Sequence, residues 1–324
     1  MIKAEIIADS LNEYGQRLTT FVLVFPRIVL AEFNTHRMFS RNSASSRAIP
    51  FEKMLKMVKE NPFIPIRWMK DHKGMQGIEY FEEKDTINQL RNYWLHARDE
   101  AVNWAEGLSN IGLTKQIVNR LLEPFMWHTC ICTSSEWQNF FALRAEHGAE
   151  IHIQQLAYDM LEAYNTSTPK LLKGGEWHIP FGDTIGATDE KWRELEWAIS
   201  GDEKISWGPG GFEKAVEEAR VQIATARCAR VSYLNFEGKD DYEADIRLHN
   251  TLLKSGHMSP FEHCARAMSA KEYDVYGATT GELYNTGIPR LEFGWCGNFN
   301  GFIQYRKMIA GENKKDTRVH EKII

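Results

Sequence analysis

Residues 35–47 read Thr-His-Arg-Met-Phe-Ser-Arg-Asn-Ser-Ala-Ser-Ser-Arg. Three arginines, four serines and an asparagine sit within this short stretch, and no apolar period of 2 or 3.6 runs through it. By pattern it is a loop, and one loaded with donors. Guanidinium groups take oxyanions bidentately, and hydroxyls and free backbone N–H groups complete the shell, so the chemistry on offer is that of a phosphate cradle. A solvated surface loop has the same composition, and composition alone does not separate the two readings.

Other residues fall at spacings that matter. Asn139 and Arg144 are five apart, so on a helix they project about 140° from one another and can serve adjoining pockets. Arg144 also reads as a basic residue at a helix carboxyl pole. His147, Glu150 and His152 do not share one helical face, so no metal site is expected from them. There is no Gly-x-Gly-x-x-Gly and no Gly-Lys-Ser/Thr phosphate loop.

The spacing of residues 35–47 resembles the signature of the flavin-dependent thymidylate synthases, Arg-His-Arg-x-x-Ser-x-Asn-x-x-Ser-x-Arg. Every specified position but the first agrees, a coincidence that chance produces on the order of a few times in a million for a chain this long. The resemblance implies that Ser45, Ser46 and Arg47 hold a deoxyuridylate phosphate, while His36, Arg37 and Asn42 line the flavin. Lys115-Gln116-Ile117-Val118-Asn119-Arg120 resembles the family's Lys-Gln-x-x-Asn-Arg helix and gives Arg120 a nucleotide contact. The stretch from Asn139 to Leu143-Arg144 resembles an Asn-x-x-x-Leu-Arg helix, whose asparagine contacts the flavin ring and whose arginine grips the pyrimidine. An Ile-Gln-Gln-x-Ala segment follows at 153–157, as in the family.

Two further blocks resemble the family's N-terminal third, which consists of an Ala-Arg-Val-Ser strand, a helix, and Gly-His-x-Thr/Ser-Pro-Phe-Glu-His. They are Arg227-Cys228-Ala229-Arg230-Val231-Ser232-Tyr233 and His257-Met258-Ser259-Pro260-Phe261-Glu262-His263. His257, Ser259 and Glu262 become flavin contacts by this resemblance. The third that normally precedes the signature here follows it by about two hundred residues. Circular permutation explains that order, with the old termini joined in a connector at 166–210.

The implied activity is reductive methylation of deoxyuridylate to thymidylate. Methylene-tetrahydrofolate is the carbon donor, FAD carries the hydride, NADPH is the reductant, and a homotetramer shares its active sites between subunits. Five positions depart from the family pattern. Thr35 replaces an arginine, Glu32 a glutamine near the nucleotide, Ser43 a common glutamate, and Thr133 and Ser135 an asparagine and an arginine that touch flavin. These leave open a hydroxymethylating or deoxycytidylate-specific enzyme on the same scaffold, or a non-catalytic nucleotide-binding protein.

The elements that must position these residues are also legible. Residues 2–8 and 18–24 alternate like strands, 27–34 is a short helix, and 86–108 carries an apolar stripe through Ile87, Leu90, Trp94, Ala97, Ala101 and Trp104. Helices are expected at 114–122, 137–144, 151–164, 190–199, 215–229 and 242–254, the last stopped by Gly256. Thr133 and Glu136 form a capping-box pattern before the 137–144 helix. Residues 264–276 read as a strand, 297–306 as a strand edge with a turn, and 313–324 as a charged tail.

The expected fold is α+β, a mixed or antiparallel sheet with packed helices. The chain is read as one catalytic domain over 1–324, with halves at 1–165 and 211–324. A net charge of -5 argues against a polymeric nucleic-acid partner. No apolar run is long enough for a membrane span, and no signal peptide is visible at the start. Five cysteines without regular spacing suggest a reducing, cytoplasmic setting.

Overall fold

The computed structural model describes residues 1–74, 77–201, 207–232, 241–273, 297–310 and 312. Its main sheet is built from β1 (Lys3–Asn12), β2 (Arg17–Pro26), β3 (Ser40–Ser43), β4 (Trp127–Ser134) and β5 (Lys170–Leu172). Their order is β3-β4-β2-β1-β5. Every neighbouring pair is antiparallel except β1 and β5, which run parallel, so the sheet is mixed. A second, antiparallel sheet joins β6 (Trp177–His178), β7 (Ala265–Ala267) and β8 (Phe302–Gln304). The fold class is α+β, as expected.

The β1–β2 hairpin closes locally. Asn12 Oδ1 accepts the N–H groups of Tyr14 and Gln16 at 3.0 and 2.9 Å, and Gly15 takes a φ of 81° that a side chain would oppose. From there the two-residue period sorts the faces. Phe21, Leu23, Phe25, Cys130 and Cys132 form one fully buried cluster with Ile153, Leu156, Ala157 and Met160 of α6 (Ile151–Thr166) and Phe140 of α5 (Gln138–Arg144). On the alternate register, Ile131 meets Cys228 and Val231 of α8 (Gly211–Ser232), with Val22 and Ile7 beside them. The sheet therefore lies between two helical layers.

Helix α9 (Tyr242–Ser255) is bound to α8 by Asp245, which accepts from Arg227 and Arg230 at 3.5 and 2.6 Å. Gly256 ends α9 in the left-handed region at φ 70°. A separate cluster gathers Met54, Leu55 and Val58 of α2 (Phe51–Glu60), Val102 and Ala105 of α3 (Lys84–Asn110), and Val118 of α4 (Lys115–Val118).

Several expectations are corrected. The loop at 35–47 contains β3, because Ser40 to Ser43 find backbone partners on β4 from Thr133 to Cys130. The Thr133–Glu136 capping box does not form. Thr133 belongs to β4, and α5 begins after Trp137 with no side-chain cap. The buried stripe of α3 runs through Val102 and Ala105, leaving Ala97 and Trp104 exposed. The Ala-Arg-Val-Ser segment is the end of α8 rather than a strand, since Arg227 and Arg230 must point at one α9 carboxylate. The 264–276 strand is confined to β7, and a capped turn of helix at Ala270–Glu272 follows it. The connector at 166–210 is less irregular than its Gly and Pro content implies: β5, β6 and α7 (Asp189–Ser200) lie in it. Tyr233, Cys296 and residues 313–324 lie outside the described residues. Among the described residues, no helix is long and apolar enough to cross a membrane.

Candidate active site

After β2, a single 3-10 turn (Arg27–Val29) and α1 (Leu30–Asn34) lead into the signature residues. His36 is buried against Phe39 and Phe140, and its Nε2 lies 3.1 Å from Arg144 Nε at the end of α5. An arginine only donates, so His36 is neutral and accepts, with the ring proton on Nδ1. Burial first, then the Arg144 and Arg41 guanidiniums, push its pKa down to about 4. Arg144 Nη2 also reaches Thr35 Oγ1 at 3.5 Å. The guanidinium is thus held from one edge by the signature, and Nη1 forms no bond to the described residues.

The opposite end of the signature lies in a polar, charged cluster. Asn119 Nδ2 donates to the carbonyls of Ser46 and Ile49 at 2.7 and 3.0 Å and fixes the turn. Ser46 Oγ donates to Glu123 Oε1 in a short contact, and Arg120 Nη1 and Arg27 Nη2 reach the same oxygen at 3.3 and 3.4 Å. Arg27 is steadied by His128, whose Nδ1 accepts at 3.2 Å; burial, with Arg27 beside it, pushes His128 down to about 3. Ser45 is half-buried, and Arg47 is exposed with no ion-pair partner among the described residues.

The block at 257–263 folds back onto the signature. Ser259 Oγ donates to Asn42 Oδ1 at 3.2 Å, and Asn42 Nδ2 donates to the Cys228 carbonyl at 2.8 Å. Gln304 Nε2 bridges Ser40 Oγ at 2.8 Å and the Glu262 carbonyl at 3.4 Å. The Glu262 carboxylate pairs with Arg306 at 2.5 Å, and His257 is exposed with Nδ1 on Ser255 Oγ. His263 is fully buried and begins a chain of hydrogen bonds. Its Nδ1 meets Thr133 Oγ1 at 2.9 Å, Thr133 meets Thr20 at 2.8 Å, Thr20 meets His178 Nε2 at 2.8 Å, and His178 Nδ1 meets Ser10 Oγ at 2.8 Å.

The structure thus brings Asn42, Ser259 and Glu262 together, and separately His36 with Arg144, and Ser46 with Arg120. Asn139 and Arg37 are exposed and make no side-chain hydrogen bond among the described residues. Glu32 lies on α1 with Oε2 buried and unpartnered. Of the departures from the family pattern, Thr133 is internal to the buried chain and Ser135 Oγ accepts from the Asn300 N–H at 2.9 Å. Glu150 and His152 do structural work: Glu150 caps α6, and His152 Nε2 accepts from the Ile66 N–H at 3.1 Å. Sequence reasoning missed Arg27 and Glu123. Their signal was an opposite pair of charges, each inside an otherwise apolar run, Phe-Val-Leu-Val-Phe-Pro-Arg and Leu-Leu-Glu-Pro-Phe.

Residues 16–170 match the family model described as thymidylate synthase complementing protein. Two solved structures resemble this one at TM-score 0.41 and 14% identity, each over 51% of this chain. Both are of the UMP/dUMP methylase PolB from Streptomyces cacaoi, one bound with 5-Br UMP and one with 5-Br dUMP, matched over 88% and 90% of their chains. A comparison with curated proteins finds no match.

Proposed function

We propose, from the match of residues 16–170 to the thymidylate synthase complementing protein family, that this chain methylates a pyrimidine deoxynucleotide at carbon 5. The reading is carried by one observation: Ser259 hydrogen-bonds Asn42 across 217 positions of sequence. That contact joins the displaced His257 block to the signature strand, as a permuted relative requires.

In this reading Ser45, Ser46, Arg47 and Arg120 take the nucleotide phosphate, and Arg144 faces the base. His36 removes the rotational freedom of the Arg144 guanidinium, so its free edge is aimed before substrate arrives. That edge stabilises the negative charge that builds on a pyrimidine carbonyl as carbon 5 becomes nucleophilic. A flavin suits the remaining donors. Arg37 and Asn139 are exposed and unengaged, and His257 Nε2 is open, a mixed cationic and neutral set fit for phosphates and ring carbonyls. Asn42, Ser259 and Glu262 complete that side by holding the two blocks in register, and His36 joins it through Arg144. FAD held there, once reduced by NADPH, would supply the hydride, and methylene-tetrahydrofolate would supply the carbon. The chain's own work is binding, orientation and charge stabilisation.

A second reading rests on Glu32. An unpartnered carboxylate oxygen accepts hydrogen bonds and repels a carbonyl, so it favours the exocyclic amine of deoxycytidylate over deoxyuridylate. Incubation with each nucleotide, methylene-tetrahydrofolate and NADPH, followed by mass spectrometry, tests both. A methyl increment on deoxyuridylate supports the first reading, and modification of deoxycytidylate the second. Unmodified nucleotides from a flavin-loaded protein overturn the assignment. Arg144→Lys keeps the charge but loses the planar fork, so turnover falls at least tenfold while flavin stays bound. Wild-type turnover in that variant removes Arg144 from the base contact.

A further inference from the structure

Three donors from three separate elements converge on one carboxylate oxygen. Ser46 comes from the turn before α2, Arg27 from the turn after β2, and Arg120 from the 3-10 helix Asn119–Phe125, which also carries Glu123. A hydroxyl and two guanidiniums on a single anionic oxygen is the coordination a phosphate oxygen receives. We propose that Glu123 is a built-in anion that occupies the phosphate cradle and must be expelled when nucleotide binds. The proposal rests on the reading of this region as the nucleotide phosphate site.

The geometry separates this from an ordinary ion pair. The two guanidinium contacts to Glu123 are 3.3 and 3.4 Å, whereas Arg230 meets Asp245 at 2.6 Å and Arg17 meets Asp9 at 2.6 Å. Charge-assisted hydrogen bonds tighten to about 2.7–2.9 Å when they are well formed, so these two are loose. The cluster also lies at the edge of solvent. The Arg120 side chain is 51% exposed and that of Glu123 19%, against 3% for Asp245. A dianionic phosphate brings more charge and more acceptor oxygens than a carboxylate to the same three donors. Repulsion between the two anions then drives Glu123 outward.

Arg27 gains a purpose in this arrangement. His128, neutral and buried, orients it toward the oxygen, so the cradle gains a cation that sequence comparison did not supply. Affinity for phosphate is the difference between two occupants, and Glu123 lowers it below what the donors alone would give. Nucleoside binding, which does not use these donors, is indifferent to the exchange.

Calorimetric titration of wild type, Glu123→Gln and Glu123→Ala with deoxyuridylate, deoxyuridine and inorganic phosphate tests this. Both variants bind deoxyuridylate and inorganic phosphate about tenfold more tightly than wild type, and deoxyuridine equally. The alanine variant ensures that a glutamine amide is not itself the new donor. Unchanged or weakened phosphate affinity in both variants, with melting curves that show them folded, overturns the proposal. So does the absence of phosphate binding by all three proteins. Wild-type protein crystallised with inorganic phosphate gives a check that needs no variant: Ser46 Oγ bonded to phosphate with Glu123 withdrawn is expected, and phosphate beside an unmoved Glu123 overturns it. Arg47→Ala separates the premise. Loss of phosphate affinity there without tightening at Glu123 sinks the stand-in alone, whereas unchanged affinity in Arg47→Ala sinks the site assignment.

Discussion

Two polar clusters in this molecule draw on similar groups and are surrounded differently. In the seam between the sheets, Ser10, Thr20, Thr133, His178 and His263 form an unbroken hydrogen-bonded chain, and each is at most 4% exposed. In the proposed anion cradle, Ser46 and Glu123 meet Arg27 and Arg120, whose side chains are 18% and 51% exposed. The seam contains no charge and nearly every donor has its acceptor. The cradle is charged, and its two guanidinium contacts are long. A closed neutral network stabilises one arrangement of the fold, because opening it leaves buried groups unpaired. An open charged cluster contributes little to stability and keeps donors available for a ligand. The difference predicts which substitutions move stability and which move binding.

Acid is the strongest way to break the seam. Burial lowers His178 to about 4 and His263 to about 3, and His36 and His128 are lowered to about 4 and about 3. An unfolded histidine titrates near 6.5, so between that pH and the folded value the unfolded chain binds more protons. The contribution is therefore complete above pH 6.5 and lost as pH falls through the interval toward 4. By pH 5 the loss is about 2 kcal/mol for each fully buried histidine, before most carboxylates titrate. Urea unfolding at pH 7 and pH 5 measures it. Equal stability at the two values contradicts neutral buried imidazoles in the seam.

The next test cuts the chain at its middle. Thr20 Oγ1 touches both His178 Nε2 and Thr133 Oγ1 and is fully buried. Thr20→Val keeps the shape and removes the hydroxyl, leaving two buried partners one bond short, at about 2–3 kcal/mol. Denaturant unfolding reads the loss, and nucleotide affinity stays at the wild-type value. A stability change below about 0.5 kcal/mol would mean that the chain contributes no more than a surface contact.

The two clusters also differ in how far the amino-acid order discloses them. Alternation announces β1 and β2, and the 3.6 period announces α6 and α9, because one face of each meets the core. The signature, the Asn119-Arg120 helix, Arg144 and the His257 block are visible as spaced residue types, and Ser259 on Asn42 joins the last of these to the first. Strand β3 was not visible. Ser-Arg-Asn-Ser has little strand preference and is extended because β4 offers it a ladder. Thr133 had the local pattern of a cap, yet its partner His263 lies 130 residues away, and the distant bond prevails. Arg27 and Glu123 each look misplaced in an apolar run until the fold puts them together, 96 positions apart.

The smallest effect on stability sharpens the contrast most. Arg120 makes one 3.3 Å contact, to Glu123, from a side chain half in solvent. Such pairs contribute about 0–1 kcal/mol, since attraction in water is weak and ordering two long side chains opposes it. Arg120→Gln should therefore shift unfolding by no more than about 0.5 kcal/mol. Phosphate affinity should nonetheless fall about tenfold or more, because the bound state loses a charge-assisted donor. Deoxyuridine binding should not change. Measured on one protein preparation, a preserved melting curve with weakened phosphate binding places Arg120 with the ligand. A clear loss of stability with intact phosphate binding would move it into the company of Thr20, as a residue of the fold.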